Sequence, residues 1–357
     1  QAVIKNAPNH RESLTGLGQV YMLRGKTDEA WGLVEQTLAN SPDSPDAHFF
    51  RGTMLLSRGE LKEGFREFEY RFQRASSELE TFDEPRWEGK PLDGKTLLVH
   101  AEYGYGDMLQ FIRYAPMVQR RAQGRVLFEV HPMVIPLMEH SGYRELVPQY
   151  QPRQPFDVQM PMMCLPRLFE TTLETIPADV PYLVAAPELV AKWKQRLAGV
   201  DRLRVGIHWQ GNPKFAADHF RSIPLACFAP MAELPGVQLV SLQKGPGRAQ
   251  LQDVPAGWSI LDVADELTDF HETAALMKNL DLVITCDSSP GHLAGGLGVP
   301  VWIALSVSSD WRWMLHREDS PWYPSARLFR QPRLNDWNRV FERMAAELAA
   351  GGLRTDG

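Results

Sequence analysis

Asp281-Leu-Val-Ile-Thr-Cys-Asp-Ser-Ser-Pro-Gly-His-Leu-Ala-Gly-Gly-Leu-Gly-Val-Pro-Val-Trp-Ile-Ala-Leu305 is the stretch from which the fold follows. Leu282 to Thr285 is a short run with two β-branched aliphatics, the composition of a strand buried on both faces. Asp287, Ser288 and Ser289 come next; each can cap a helix, and Pro290 suits a first helical position. His292 to Leu297 reads as a short helix of small residues, Gly298 as its C-terminal cap, and Val299 to Leu305 as the next strand. The helix N-terminus thus stands at the carboxyl edge of a strand in a parallel sheet. Unpaired N–H groups and the positive end of the dipole gather there; two serine hydroxyls add donors, and Gly291 lets an oxygen approach the backbone. The place suits a phosphate or diphosphate, and equally an ordinary capped helix that binds nothing. A serine-hydrolase elbow would need Gly-x-Ser-x-Gly, but Asp287 holds the first glycine position.

At 357 residues the chain has room for two or three domains, and 44% hydrophobic residues can fill their cores. Net charge is −6, from 38 basic and 44 acidic side chains, which sets aside a binder of nucleic-acid backbones. Cys164, Cys227 and Cys286 form no Cys-x-x-Cys pair, so neither a disulfide framework nor a zinc site is indicated. Cys286, closing a buried strand, reads as a small core residue. No run reaches the length of a transmembrane segment and no signal peptide is seen, although the chain begins at Gln1. A cytoplasmic location is the expectation.

The first 76 residues repeat. Leu14, Gly18, Tyr21, Ala30 and Pro42 lie at the offsets of a tetratricopeptide repeat begun at Arg11; about 34 residues on, Gly52, Leu55, Gly64 and Phe68 fill the same small and large positions. Pro8 would close an earlier, truncated copy. Small residues let paired helices approach, Tyr21 and Phe68 fill the remaining space, and Arg24-Gly25-Lys26 and Arg58-Gly59-Glu60 supply the turns. Stability calls for about three repeats, so either more repeats precede these or the helices dock on the next domain. Such a stack commonly holds a peptide or protein partner; its plainer use is packing alone.

Residues 77–94 read as a linker pinned by Trp87. Thr96 to Ala101 is a strand running into Glu102-Tyr-Gly104-Tyr-Gly106-Asp107, and a helix follows to about Gln123. Gly-x-Gly between strand and helix begins a dinucleotide-type fingerprint whose third glycine is missing. Asp107 at the helix start is favoured by the dipole and could be a simple cap. Strands near 126–130, 146–150 and 156–160, with helices at 132–140 and 164–169, complete one doubly wound domain over 95–187. A second, over 188–334, carries strands at 204–209, 237–242, 260–261, 281–285 and 299–305, with helices at 188–197, 225–234 and 270–279. Two such domains leave a cleft at the carboxyl ends of their strands. Residues 335–357 form a last amphipathic helix and tail, with Trp337, Val340, Phe341, Met344 and Leu348 on one face. The segment from Asp310-Trp-Arg-Trp313 to Pro321-Trp-Tyr-Pro324 could stack on a base or sugar or wedge the domains together.

Gly104-Tyr-Gly-Asp107, with Asp287-Ser-Ser-Pro-Gly-His292-Leu-Ala-Gly-Gly-Leu-Gly-Val-Pro300, resembles the heptosyltransferase-like glycosyltransferases of family 9. Trp209-Gln-Gly-Asn212, Arg221-Ser-Ile-Pro and Ser241-Leu-Gln-Lys244 resemble the branch fused to tetratricopeptide repeats. The resemblance runs from about Trp87 to Ala350 and implies an α/β GT-B fold, two Rossmann-like domains facing a cleft, behind an all-α repeat segment. It implies Asp107 as the general base of an inverting transfer. It places the donor site at Gly104, Gly106, Gly211, Asn212, Lys214, Arg221, Gln243, Lys244, Asp287, Ser288, Ser289, Gly291 and His292. Ser288, Ser289, Gly291 and His292 match the turn that holds the donor diphosphate, and Lys244 and Arg221 would neutralise the leaving group, with Lys214 assisting. His292 either donates to a phosphate or caps the turn; His208 reads as structural. Ser288-Ser289-Pro290-Gly291 departs from the family's usual Thr or Gly followed by an apolar residue, and the donor-base segment between Ser241 and Asp269 has no signature.

No Asp-x-Asp occurs in the chain, so no catalytic metal and no cofactor beyond the nucleotide-sugar co-substrate are expected. The resulting expectation is a transferase moving a sugar from a nucleotide diphosphate to an acceptor hydroxyl, on a protein or peptide held by the repeats. Two alternatives stand beside it: a non-catalytic repeat scaffold with a degenerate transferase domain, and a nucleotide-sugar epimerase.

Overall fold

The computed structural model describes residues 11–351; the repeat copy closed by Pro8 and the tail from 352 on lie outside the described residues. The chain begins with two helix pairs, α1 (Arg11–Leu23) with α2 (Thr27–Asn40), and α3 (Pro45–Ser57) with α4 (Leu61–Phe68), the last extended by a 3₁₀ turn over Glu69–Gln73. Pro45 sits in the first turn of α3, and the Ser44 hydroxyl accepts from Ala47 N–H. Gly25 and Gly59, with φ of 70° and 84°, make the turns within each pair. A Cβ on Gly52 would lie 2.6 Å from the backbone nitrogen of Phe68, so α3 and α4 meet backbone to backbone.

Two parallel sheets come after these helices. The first holds β1 (Thr96–His100), β2 (Arg125–Val130), β3 (Leu146–Pro148) and β4 (Val158–Pro161) in the order β3-β2-β1-β4. The second holds β5 (Leu203–His208), β6 (Val237–Ser241), β7 (Ile260–Asp262), β8 (Leu282–Cys286), β9 (Val301–Leu305) and β10 (Ala326–Arg330), in the order β10-β9-β8-β5-β6-β7. Strand order reverses between β1 and β4 in the first sheet and between β5 and β8 in the second. The loops after β1, β5 and β8 therefore open at the two switch points, where an open α/β sheet offers a crevice.

The helices that matter for the site are α5 (Tyr105–Phe111), α6 (Ala115–Ala122), α7 (Ile135–His140), α8 (Pro187–Arg196), α9 (Phe270–Met277), α10 (Ser289–Gly296) and α11 (Trp337–Ala349). The helix expected to run unbroken to Gln123 is interrupted by a 3₁₀ turn at Ile112–Tyr114, just before Pro116, which has no N–H to continue the ladder. The helix expected from His292 starts earlier, at Ser289, with Pro290 in its first turn. Strand β10 was not expected at all.

One apolar cluster runs without interruption from Phe65 and Phe68 of α4, through α5 and the first sheet, to Trp311, Trp313, Trp322 and Tyr323. The aromatic segment wedges the parts together: Trp311 meets Phe65 and Phe68 edge-on, at 5.4 and 5.9 Å between centroids, while Trp322 meets Phe111 at 6.0 Å. The front helices thus dock on the α/β body. The apolar face of α11 shares a cluster with the second sheet, and its Phe341 meets Phe228 of the 225–228 turn at 4.3 Å between centroids. Among the described residues, no helix is long and apolar enough to cross a membrane.

Candidate functional site

Gly104 caps α5, and Asp107 sits in its first turn. The Asp107 carboxylate reaches back: Oδ2 accepts from Gly104 N–H at 2.9 Å, as a helix cap would. Its other oxygen, Oδ1, accepts from Arg312 Nη2 at 2.5 Å. The Asp107 side chain keeps 20% of its exposure, so the carboxylate is not sealed off. Burial and the nearby Asp310 charge raise its pKa, with Arg312 opposing. Just before this turn, Glu102 is buried and takes two bonds from Arg71, at 2.9 and 2.7 Å, and one from Met163 N–H.

The turn after β8 differs from expectation in orientation. Ser288 Oγ lies 3.1 Å from His208 Nδ1 and also contacts Thr285 and Cys286, so this hydroxyl faces back into the sheet. A Cβ on Gly291 would meet Thr285 and Ile303 at 3.3 and 3.4 Å; the glycine seats the helix on its own sheet. The open approach for a ligand oxygen expected at Gly291 is therefore not where the missing side chain points. Ser289, the first residue of α10, is half-buried. Asp287 is raised to about 6 by burial and by the charge of Asp310.

His292 is buried, stacks on Trp313 at 5.2 Å and shares a 2.8 Å hydrogen bond with the Tyr323 hydroxyl. Burial lowers its pKa well below the usual histidine range, so the ring is neutral. A Cβ on Gly106 would stand 2.8 Å from this ring. The two motifs singled out in sequence, Gly104–Asp107 and Asp287–His292, therefore meet across the two α/β units through Gly106 and His292.

Around this junction the second sheet supplies loops. Arg221 Nη1 donates to the Asp287 carbonyl at 3.0 Å and its Nε to Asp218 at 3.0 Å, placing a guanidinium beside the start of α10. Gly211 has no room for a side chain: a Cβ would lie 2.4 Å from Asp218 Oδ1 and 2.6 Å from Arg221 Nη2. Gln243 is buried and ties the loops after β5 and β6, accepting from Trp209 and Gln210 N–H and donating to the Gln210 and Lys244 carbonyls. It is a brace for these loops. Lys244 donates to the Leu267 carbonyl and not to the α10 turn. Asn212 accepts from Lys214 N–H at 3.0 Å, and both side chains are exposed. His208, buried and pushed down to about 3, has the structural place expected of it.

Three neighbours of Asp107 were not singled out from sequence. Arg312 donates to Gln110 Oε1 and Asp310 Oδ1, each at 2.8 Å, as well as to Asp107. Gln110 is fully buried, and its amide nitrogen has no hydrogen-bond partner among the described residues. The only sequence signal was the arginine between two tryptophans at Trp311–Trp313, which alone does not distinguish stacking on a ligand from clamping a carboxylate. No group of three or more metal-ligating side chains occurs among the described residues.

Residues 235–335 match the model of Glycosyltransferase family 9 (heptosyltransferase). The chain is 28% identical over 353 residues to Protein FlbA of Caulobacter vibrioides, covering 89% of this chain and 59% of that protein. It thus spans less than two thirds of that relative's length. In fold it resembles the glycosyl transferase family 9 structure from Veillonella parvula, with a TM-score of 0.54, 13% identity, and 75% of this chain and 99% of that one covered. The E. coli ADP-heptose lps heptosyltransferase II gives 0.45 at 14% identity, over 72% and 99% of the two chains. The α/β fold with parallel sheets is that of GT-B glycosyltransferase structures, and a glycosyltransferase family 9 (heptosyltransferase-like) domain is supported by the match over residues 235–335.

Proposed function

We propose that the chain is an inverting glycosyltransferase taking a nucleotide-diphosphate sugar as donor. The observation that carries this is that the turn bearing Asp107 meets the first turn of α10 across two parallel-sheet units, through the Gly106–His292 contact. The acceptor hydroxyl gives its proton to Asp107, and its oxygen attacks the anomeric carbon from the face opposite the leaving group. The bond from that carbon to the diphosphate oxygen breaks, and the electron pair leaves with the nucleoside diphosphate. The Ser289 backbone N–H and hydroxyl, the dipole of α10 and Arg221 receive that charge, with Lys244 on the neighbouring loop. No metal is needed in this reading, because donors and dipole take its part. Residues 95–187 form the acceptor unit and 188–334 the donor unit.

The two helix pairs are read as tetratricopeptide repeats that present a protein acceptor. A hollow of about 460 Å³ supports this. It lies between α1 and α3 on one side and the 216–220 and 308–311 segments on the other, lined by Met22, Phe50, Thr53, Phe220 and Trp311. Asp310, at its edge, bonds the arginine that holds Asp107. An extended polypeptide with a hydroxyl side chain suits such an apolar, hydroxyl-lined hollow.

The test is transfer of labelled sugar from a donor panel by wild type and Asp107→Asn. Loss of about 100-fold or more in kcat, with donor binding retained, supports the assignment. Unchanged turnover in the variant contradicts it. Sugar isomerisation without an acceptor would replace it with the epimerase reading.

A further inference from the structure

We infer that Arg312 is the positioning residue for Asp107 and that the front helices hold Arg312 in place. The helices would then act on the chemical step as well as on acceptor capture. This rests on the transferase reading proposed for the site.

Arg312 is 7% exposed, and each of its guanidinium nitrogens has a side-chain acceptor: Nε on Gln110, Nη1 on Asp310 and Nη2 on Asp107. Asp107 and Gln110 are one turn apart on α5, so one planar fork fixes both the carboxylate and the helix face that carries it. A buried guanidinium is tolerable only when paired, and here it bridges the second sheet's 310–313 turn to the first sheet's helix. Its partner Asp310 keeps it paired when Asp107 takes up a proton during transfer.

The turn bearing Arg312 leans on the front segment. Trp311 lies against the guanidinium at 4.3 Å and against Phe65 and Phe68 of α4. Just beyond the turn, Leu315 N–H donates to the Ser57 carbonyl of α3 at 2.8 Å. From the other side, Arg71 of the 69–73 turn grips Glu102, five positions before Asp107. Both partners of the pair are therefore anchored by the same helices. The charged groups that bear on Asp107 are Arg312 and Asp310 from the second unit and Glu102 on its own loop, beside the Tyr103 phenol; Asp287 bears on Arg312.

The experiment compares wild type, Arg312→Lys, Arg312→Met and Phe65→Leu. Arg312→Met should lower kcat about 100-fold with donor KM little changed. It should also move the acid limb of the kcat profile upward by about one pH unit or more, because the cation favouring the carboxylate is gone. Arg312→Lys should restore the limb while recovering only part of kcat, since the fork is lost. Phe65→Leu should lower kcat several-fold at unchanged donor KM. An unmoved limb in Arg312→Met, or a loss wholly in KM, overturns the positioning role; unchanged kcat in Phe65→Leu removes the front helices from it. A double-mutant cycle in urea between Asp107→Asn and Arg312→Met needs no activity. If no donor is turned over by wild type, the transferase reading fails and the cycle still decides the pairing: strong coupling supports it, additivity overturns it.

Discussion

Arg312 Nη2 and Asp107 Oδ1 lie 2.5 Å apart although 205 residues separate them in sequence. The contact joins the helix after the first strand of one sheet to the turn after β9 of the other. It gives the carboxylate a fixed cationic neighbour without burying it completely. This juxtaposition makes the pH dependence of activity the first consequence to test.

A base must be ionised to accept a proton, and Asp107 has its pKa raised by burial and by Asp310. Activity should therefore fall as pH drops through a value above the ordinary aspartate range, and the acid limb should vanish into a flat residual rate in Asp107→Asn. A pH–rate profile at saturating donor measures both. A limb at the ordinary aspartate value would mean the groups around Asp107 do not set its titration.

Gly106 is one of the places where the two units touch. A Cβ there would meet the His292 ring at 2.8 Å, and that ring is held by Trp313 and Tyr323. Gly106→Ala should cost about 1–3 kcal/mol of stability and lower turnover by at least about tenfold, as α5 and α10 are pushed apart. Urea unfolding and steady-state kinetics check the two effects. Normal turnover at reduced stability would detach the contact from function.

Gly211→Ala acts at the donor side. The added methyl would collide with Asp218 and with Arg221, which sits beside the start of α10. On the proposed reading, in which Arg221 serves the diphosphate, donor binding should weaken about tenfold while kcat at saturation changes less. Equal affinity in calorimetry would show that Arg221 has no part in holding the donor.

The Arg71–Glu102 pair is buried on both sides, each side chain 2% exposed. Removing one partner strands the other, so Arg71→Ala should cost about 3–5 kcal/mol in urea unfolding. A cost under about 1 kcal/mol would mean water reaches Glu102 and the front helices are not fastened there.

Buried neutral histidines make stability fall in acid. His208 is moved by burial from 6.5 to about 3, so the unfolded chain binds the extra proton between those values. The contribution is fully present above about pH 6.5 and is lost progressively as pH falls toward 3. Between pH 7 and 5 this one group should cost about 2 kcal/mol, and His208→Gln should remove that part of the slope. The variant keeping the full slope would assign it elsewhere.

The β8–α10–β9 unit could be read from sequence because a β-branched run, a capping triplet and the Gly298 stop all lie within one local window. The place of Asp107 in the first turn of α5 could be read for the same reason, marked by glycines between strand and helix. Strand β10 could not: Ala326-Arg-Leu-Phe-Arg330 is short, without β-branched residues or clean alternation, and is made a strand by pairing along β9. The orientation of Ser288 and Gly291 could not be read locally, since the rotation of α10 on its sheet is set by packing against Thr285 and Ile303. Arg312 was invisible as a partner of Asp107 because the two lie 205 positions apart and meet only through tertiary packing of the aromatic segment.

The most direct measurement is titration calorimetry of a panel of nucleoside diphosphates and nucleotide-sugars, on wild type and Ser289→Ala, with chelator and with added divalent metal. The account predicts that one nucleotide binds in the micromolar range, equally well with chelator, and about tenfold more weakly to the variant. It also predicts that the sugar carried by that nucleotide is the one transferred. If no member of the panel binds wild type under either condition, the donor site at α10 is contradicted, and the chain is better understood as a helical scaffold carrying a transferase fold that no longer takes a donor.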